Sequence, residues 1–330
     1  MDKWDIFIRI FSKDIRTILK ETAVDYDRVQ EIRLRVQAPL LLIYGDQEFY
    51  LTSEGTLTTR RELAFQVTGQ AIRETLEYIG SHSLYAFEEE IRQGFLTIQG
   101  GHRIGLAGKT ILDERGIRTM KFISFLNVRL AHELRGCADG VIPYLYDQAG
   151  LCHTLLISPP RCGKTTLLRD LVRQISDGSE KAGAGTSRSV SRPGMTVGVV
   201  DERSEIGACY QGVPQNDLGI RTDILDCCPK ALGMMMLIRS MSPQVVAVDE
   251  IGSREDLDAM EQVMNCGSRV LATVHGSSLE DIRRKPVLKT MLAERWFGRY
   301  VVLENKRSVG QVEGIYDSGG RRLFPGERGI

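Results

Sequence analysis

A strand–loop–helix motif in the middle of the chain constrains the fold more than any other feature. The apolar run Leu155-Leu156-Ile157 leads into a loop, and an amphipathic helix follows; the loop and helix start read Ser158-Pro159-Pro160-Arg161-Cys162-Gly163-Lys164-Thr165-Thr166. In such a motif the loop N–H groups and the helix N-terminus bind phosphates, a lysine reaches the terminal phosphates and a hydroxyl binds Mg²⁺. The nine loop and helix-start residues are therefore predicted to bind the nucleotide, with Lys164 as the cation and Thr165 on the metal.

Ser158 stands where this motif usually has its first glycine. Serine is costly at a position that requires a positive φ, whereas glycine is not. We therefore expect a turn at Ser158 whose backbone conformation serine can adopt.

Composition places the chain among ordinary globular proteins. Its 330 residues are enough for about two domains, and 43 Lys and Arg balance 43 Asp and Glu, so no overall charge favours nucleic acid or an anionic membrane. The seven cysteines form no C-x-x-C pair, which indicates reduced thiols. The sequence has no apolar run of membrane-spanning length and no signal-peptide pattern, so a cytoplasmic location is expected.

Residues 1–150 are predicted to form a small α+β domain. Apolar residues at helical spacing between Ile6 and Leu19 indicate an opening helix, and the alternation over Glu31–Val36 indicates a half-buried strand. A glycine turn between Phe95–Ile98 and Arg103–Gly108 indicates a hairpin.

Residues 151–330 are predicted to form an α/β domain with a mainly parallel sheet. Strand-like apolar runs alternate with helical segments, over 154–158, 196–200, 245–248 and 270–274. The helix before Val245 is expected to have Asp226 as its N-cap. The Gly- and Ser-rich stretch 177–194 is interpreted as a mobile insertion.

Polar residues follow three of these strands, at the sheet edge where open α/β proteins bind ligands. Asp249 is predicted to hold Mg²⁺ and Glu250 to orient the attacking water. A second acidic cluster, Asp201-Glu202-Arg203-Ser204-Glu205, indicates a catalytic neighbourhood because close carboxylates repel one another unless a cation offsets them. His275 is a candidate sensor of the γ-phosphate.

These motifs, together with Glu31-Ile32-Arg33-Leu34-Arg35, resemble the stage III sporulation protein AA family over nearly the whole chain apart from 177–194. That family is in turn similar to the hexameric ATPases of type II, type IV and pilus systems. Those motors carry an acidic box and a histidine box, matched here by Asp201, Glu202 and Glu205 and by Thr273 and His275, respectively. In this comparison Glu202, Glu205, Glu250 and His275 are the candidate catalytic residues of the second domain.

The resemblance implies a RecA-like P-loop ATPase domain preceded by a smaller α+β domain, with ATP and Mg²⁺ as its ligands. It also implies a homo-oligomeric, hexameric ring in the mother cell of an endospore former. Membrane-bound channel proteins between mother cell and forespore would be the partners, and no stable nucleic-acid partner is expected. The residues alone indicate a Mg²⁺-dependent P-loop ATPase.

The resemblance further implies that an N-terminal strand supplies an arginine to a nucleotide site. Arg103 is the first candidate and Arg129 the second, with Arg203 and Arg221 as alternatives from the second domain. Two other function classes stay open at this stage. A nucleic-acid-dependent ATPase would be stimulated by single-stranded nucleic acid, although the sequence shows no RNP motif, KH-like GXXG loop or aromatic–basic run. A small-molecule phosphotransferase would transfer the phosphoryl group to an acceptor, so phosphate release without any acceptor would exclude it.

Overall fold

The computed structural model describes residues 3–80, 91–92, 94–114, 116–179, 192–304 and 311–324. The chain forms two compact units, Met1–His132 and Glu133–Ile330. The boundary therefore lies 18 residues before the expected position at residue 150, because residues 133–151 pack with the second unit. In this segment Ala138, Val141 and Leu145 are buried in the second core, and the Ala138 N–H donates to Asp170 Oδ2 at 2.8 Å.

The first unit is an α+β domain built on a seven-stranded sheet in the order β4-β3-β2-β1-β7-β6-β5, with antiparallel pairing throughout. Its described helices are α1 (Lys3–Phe7), α2 (Lys13–Glu21) and α3 (Gly69–Ile79). Its strands are β1 (Val29–Arg35), β2 (Leu41–Tyr44), β3 (Gln47–Leu51), β4 (Leu57–Thr58), β5 (Phe95–Thr97), β6 (Arg103–Asp113) and β7 (Gly116–Arg129).

The predicted first strand and the glycine-turn hairpin are confirmed as β1 and as the pair β5–β6. The predicted opening helix is interrupted, however. Phe11 is extended and fully buried, and the N–H of Ser12 donates to Thr75 Oγ1 at 3.0 Å instead of continuing the helix. Apolar periodicity alone could not show this break, because buried apolar residues continue through it, at Phe7, Phe11 and Ile15.

The second unit is built on an eight-stranded sheet in the order β14-β13-β15-β16-β10-β17-β18-β19. The first six strands in this order pair in parallel, and β18 and β19 are added at one edge in antiparallel pairing. Its described helices are α4 (Lys164–Asp177), α5 (Lys230–Ser240), α6 (Arg254–Asn265), α7 (Leu279–Arg284) and α8 (Pro286–Ala293). Its strands are β8 (Tyr146–Asp147), β9 (Gly150–Leu151), β10 (Thr154–Ser158), β11 (Gly178–Ser179), β12 (Arg192–Pro193), β13 (Val197–Asp201), β14 (Thr222–Asp226), β15 (Val245–Val248), β16 (Arg269–His275), β17 (Arg299–Leu303), β18 (Val312–Asp317) and β19 (Arg322–Phe324).

The central strands are buried on both faces, which explains their continuous apolar runs. In β10, Leu155 and Ile157 pack with the core on the side of α5 to α8, whereas Leu156 packs with α4 on the other side. The four predicted strands are confirmed as β10, β13, β15 and β16. The predicted α/β class with a mainly parallel sheet is confirmed as well.

Two features of this unit differ from expectation or lie outside the described part. Asp226 ends the edge strand β14 rather than capping a helix, and Pro229 is the N-cap of α5. Of the predicted insertion 177–194, residues 180–191 lie outside the described residues. Its two ends pair as the short ladder β11–β12.

Candidate functional site

The phosphate-loop motif lies between the end of β10 and the start of α4. Ser158 is the last residue of β10 and is fully buried, and its hydroxyl donates to the Pro159 carbonyl at 2.8 Å. The left-handed backbone occurs at Arg161 (φ 60°) and Gly163 (φ 83°). The expectation that Ser158 needs no positive φ is therefore confirmed, because the loop makes its sharp turn later.

The start of α4 offers backbone donors to an anion. Gly163 is the N-cap and has no side chain, so the N-cap residue does not occupy the first-turn N–H groups. Such a helix start attracts phosphate through these donors and through the helix dipole. The predicted residues thus run from the last residue of β10 through the loop 159–163 into the first turn of α4.

Two oxygen-bearing side chains meet at this helix start. Thr165 Oγ1 donates to Asp249 Oδ2 at 3.0 Å, which brings the two predicted metal ligands together. No cluster of three or more His, Cys, Asp or Glu suited to a metal occurs in the described residues. A hydroxyl and one carboxylate fit Mg²⁺, which keeps several waters and takes further ligands from substrate phosphates.

Thr273 fixes the backbone at the end of β15. Its hydroxyl donates to Asp249 Oδ1 and accepts the Glu250 N–H at 2.9 Å. The same N–H lies 3.0 Å from Asp249 Oδ1. Glu250 has a φ of 51°, a conformation that is strained for a side chain of its size and needs such support.

The Glu250 carboxylate is surrounded by cationic and polar side chains. Its Oε1 contacts Lys164 Nζ and lies 2.8 Å from His275 Nε2, while its Oε2 pairs with Arg203 Nη1 at 2.9 Å. His275 Nε2 is also 3.1 Å from Lys164 Nζ. Burial raises the pKa of Glu250, but the hydrogen bond and charge of Lys164, then the charges of Arg203 and His275, hold it below its ordinary value.

The predicted acidic cluster forms a loop after β13, residues 201–207, which we call the acidic loop. Asp201 is only 2% exposed and accepts the N–H groups of Glu205, Ile206 and Gly207, each at 2.8 Å. Burial raises the pKa of Asp201 to about 6, although these three N–H groups lower it. This carboxylate therefore shapes the acidic loop rather than facing the phosphate loop.

The other two acids of the cluster have different surroundings. The Glu202 carboxylate pairs with Lys230 at the start of α5. The backbone carbonyls of Glu205 and Ile206 accept bonds from Arg169 of α4, at 2.8 and 2.9 Å. The catalytic roles of Glu202 and Glu205 stay predictions.

The four candidate arginines are in unlike positions. In the first unit, the Arg103 guanidinium lies 3.7 Å from the centre of the Phe95 ring, and Arg129 pairs with Glu31 at 3.4 Å. In the second unit, Arg221 donates to the Ser176 carbonyl at 3.0 Å, at the end of α4 remote from Lys164. Arg203 is the candidate that reaches Glu250.

On sequence grounds Arg203 is only an alternative arginine for the nucleotide site, although the sequence carries a signal that places it near Glu250. It follows β13, and β13 pairs in parallel with β15, whose last residue precedes Asp249. Residues just after two adjacent parallel strands meet at the same sheet edge. Knowledge of the strand order would therefore have placed Arg203 near Glu250.

Within the described ranges, no helix combines the length and the apolar character that crossing a bilayer requires.

Comparison with known proteins gives a family and a fold. A family model described as "Sporulation stage III, protein AA" matches residues 1–323. Stage III sporulation protein AA of Bacillus subtilis (strain 168) is 41% identical over 295 residues, which cover 89% of each chain.

Two solved structures have the same fold at low identity. The Legionella pneumophila ATPase DotB has a TM-score of 0.51 at 15% identity, with 83% of this chain and 72% of that chain covered. The pilus retraction motor PilT with bound ADP has a TM-score of 0.52 at 11% identity, with 91% and 80% covered.

Proposed function

Because the chain belongs to the stage III sporulation protein AA family, we propose that it is a Mg²⁺-dependent ATPase acting in endospore formation. The observation that carries the proposal is the meeting of Lys164, Thr165, Asp249 and Glu250 at one edge of the second sheet. The RecA-like fold shared with DotB and PilT supports it, since both are named as an ATPase or a motor.

The loop and the start of α4 bind the triphosphate in this proposal. The N–H groups of residues 161–166 and the Lys164 ammonium compensate the phosphate charge. Thr165 and Asp249 would hold Mg²⁺, which would supply positive charge to the phosphate oxygens.

Glu250 orients the attacking water. Its Oε1 contacts the Lys164 ammonium group. Because a triphosphate carries more negative charge than one carboxylate, this ammonium group moves from Glu250 to the phosphates when ATP binds. The released carboxylate oxygen can then accept a hydrogen bond from water. His275, 3.1 Å from Lys164 Nζ, lies where a side chain can respond to the terminal phosphate.

The active unit in this proposal is a homo-oligomeric ring, most simply a hexamer, in the cytoplasm of the mother cell. Transition-state charge on a transferring phosphoryl group is commonly met by an arginine, in cis or from a neighbouring subunit. Arg103 is the proposed arginine from a neighbour, and Glu202 and Glu205 are proposed to assist. The ring would energise membrane-bound channel proteins between mother cell and forespore, without nucleic acid as a stable partner.

Phosphate release from ATP by the purified full-length chain tests the activity. We expect turnover that EDTA abolishes and excess Mg²⁺ restores, and that needs neither an acceptor nor nucleic acid. Lys164→Ala should lower kcat/KM at least about a hundredfold, because a cation facing the phosphates is lost. Lys289→Ala, an exposed lysine of α8, is the matched control and should retain the wild-type rate.

Three results would contradict this function. Turnover in EDTA would show that the reaction does not require Mg²⁺. Equal rates for Lys164→Ala and Lys289→Ala would show that the phosphate loop does not take part in hydrolysis. Hydrolysis only in the presence of single-stranded nucleic acid would replace the proposal with a nucleic-acid-dependent ATPase.

A further inference from the structure

We propose that Arg203 is a positioning residue that holds the Glu250 carboxylate within its own subunit, an inference that rests on the proposed function. The Arg203 Nη1 to Glu250 Oε2 distance of 2.9 Å is the geometric basis. The charged and titratable groups facing this carboxylate in the described structure come from the start of α4, the acidic loop and the end of β16, namely Lys164, Arg203 and His275.

The two oxygens of Glu250 have different partners. Oε1 contacts Lys164 and His275, whereas Oε2 has Arg203. When Lys164 moves to the phosphates, Arg203 stays at Oε2, and Oε1 keeps the His275 contact but gains room to accept a hydrogen bond from water. By holding Oε2, Arg203 sets the rotation of the carboxylate and leaves Oε1 as the oxygen that accepts the hydrogen bond from water.

Arg203 is 63% exposed in its side chain, and an exposed ion pair by itself stabilises a protein little. Its position is instead set by the backbone that carries it. On one side, Asp201 accepts three N–H groups of the acidic loop, and on the other Arg169 donates to the carbonyls of Glu205 and Ile206. The acidic loop is thus anchored to both β13 and α4, the helix that begins with Lys164.

Glu250 is anchored in the same manner. Its N–H is bonded to Thr273 Oγ1 at 2.9 Å, and its backbone is left-handed with a φ of 51°. With both backbones fixed, the ion pair joins two defined points, and its function is orientation. Displacements of about 1 Å at a reacting group can cost a hundredfold in rate.

The test compares Arg203→Ala, Arg203→Lys and Arg239→Ala, an exposed arginine of α5, in steady-state ATP hydrolysis. We expect Arg203→Ala to lower kcat about ten- to a hundredfold with the KM for ATP within twofold of wild type. Arg203→Lys should recover part of kcat, and Arg239→Ala should match wild type. Thermal unfolding of each variant confirms that the comparison is between folded proteins.

A double-mutant cycle with Glu250→Gln identifies the route of the effect. If Arg203 acts through Glu250, adding Arg203→Ala to Glu250→Gln changes the single-turnover rate by less than twofold. Mixing Arg203→Ala subunits with Lys164→Ala subunits should restore no activity, because both changes damage the same site.

Four results would overturn the inference while leaving the ATPase proposal intact. They are wild-type kcat in Arg203→Ala, a raised KM with unchanged kcat, multiplicative losses in the double mutant, and rescue in mixed subunits. Absence of ATP hydrolysis by the wild-type chain would instead refute the proposed function, and this inference with it.

Discussion

Thr273, near the end of β16, hydrogen-bonds the two residues that follow β15. It is fully buried, its hydroxyl donates to Asp249, and it accepts the N–H of Glu250. One hydroxyl therefore orients a proposed metal ligand and also supports the left-handed backbone of the proposed water-orienting residue. A buried polar group with two such bonds is costly to remove.

Thr273→Val tests this role, because valine keeps the shape and loses the hydroxyl. We expect the unfolding free energy to fall by about 1–2 kcal/mol and the phosphate-release rate to fall about tenfold. Thr273→Ser keeps the hydroxyl and should retain most of the rate. Equal rates for the two variants, measured on folded protein, would show that the hydroxyl does not position the site.

At the scale of elements, the acidic loop is held by one buried carboxylate. Asp201 serves three N–H groups that would otherwise lack an acceptor, and the loop in turn presents Arg203 to Glu250. The loop is therefore a rigid link between β13 and the neighbouring strand end.

Asp201→Ala is expected to lower the unfolding free energy by about 2–4 kcal/mol, because three N–H groups, two of them buried, lose their acceptor. Glu202→Gln, whose carboxylate is 40% exposed and pairs with Lys230, should cost about 1 kcal/mol or less. Urea unfolding of both variants measures the difference. A similar small cost for both would show that the loop does not depend on Asp201.

The elements differ in how far the sequence could predict them. Strands β10, β15 and β16 are predictable because both faces are buried and the apolar runs are unbroken. Strand β14 was missed because Thr222–Asp226 lies at the sheet edge and includes two aspartates. The phosphate loop and its acidic partners follow from local motifs, whereas the Arg203–Glu250 pair depends on strand order. The bonds from the acidic loop to Asp201 are local, but they match no motif that the sequence alone would show.

At the scale of the whole molecule, the chain comprises an antiparallel α+β unit and a RecA-like unit, and the proposed ring would let one subunit complete the site of another. Arg103 lies on β6 of the first unit, opposite Arg129 of β7 in the sheet register. A closed ring of heterologous interfaces repeats the same contact between all neighbours.

A subunit-mixing experiment tests whether Arg103 acts in a neighbour's site. Arg103→Ala subunits should bind ATP with wild-type affinity and hydrolyse it at least about tenfold more slowly. Mixing them with Lys164→Ala subunits should restore part of the activity, because some interfaces then have both intact halves. Light scattering with a non-hydrolysable nucleotide should detect the ring. A fully active monomer, or no rescue in the mixture, would contradict this role.

The central claim is that the sheet edge formed by β10, β15 and β16 hydrolyses ATP, and single-turnover hydrolysis by Glu250→Gln tests it most directly. Radiolabelled ATP is bound to excess protein with Mg²⁺, and the fractions of ATP and ADP are followed in time. We expect Glu250→Gln to bind ATP as wild type does but to hydrolyse it at least about a hundredfold more slowly, because the water loses its acceptor. Glu261→Gln, an exposed glutamate of α6, should behave as wild type. Hydrolysis by Glu250→Gln at the rate of Glu261→Gln would contradict the account.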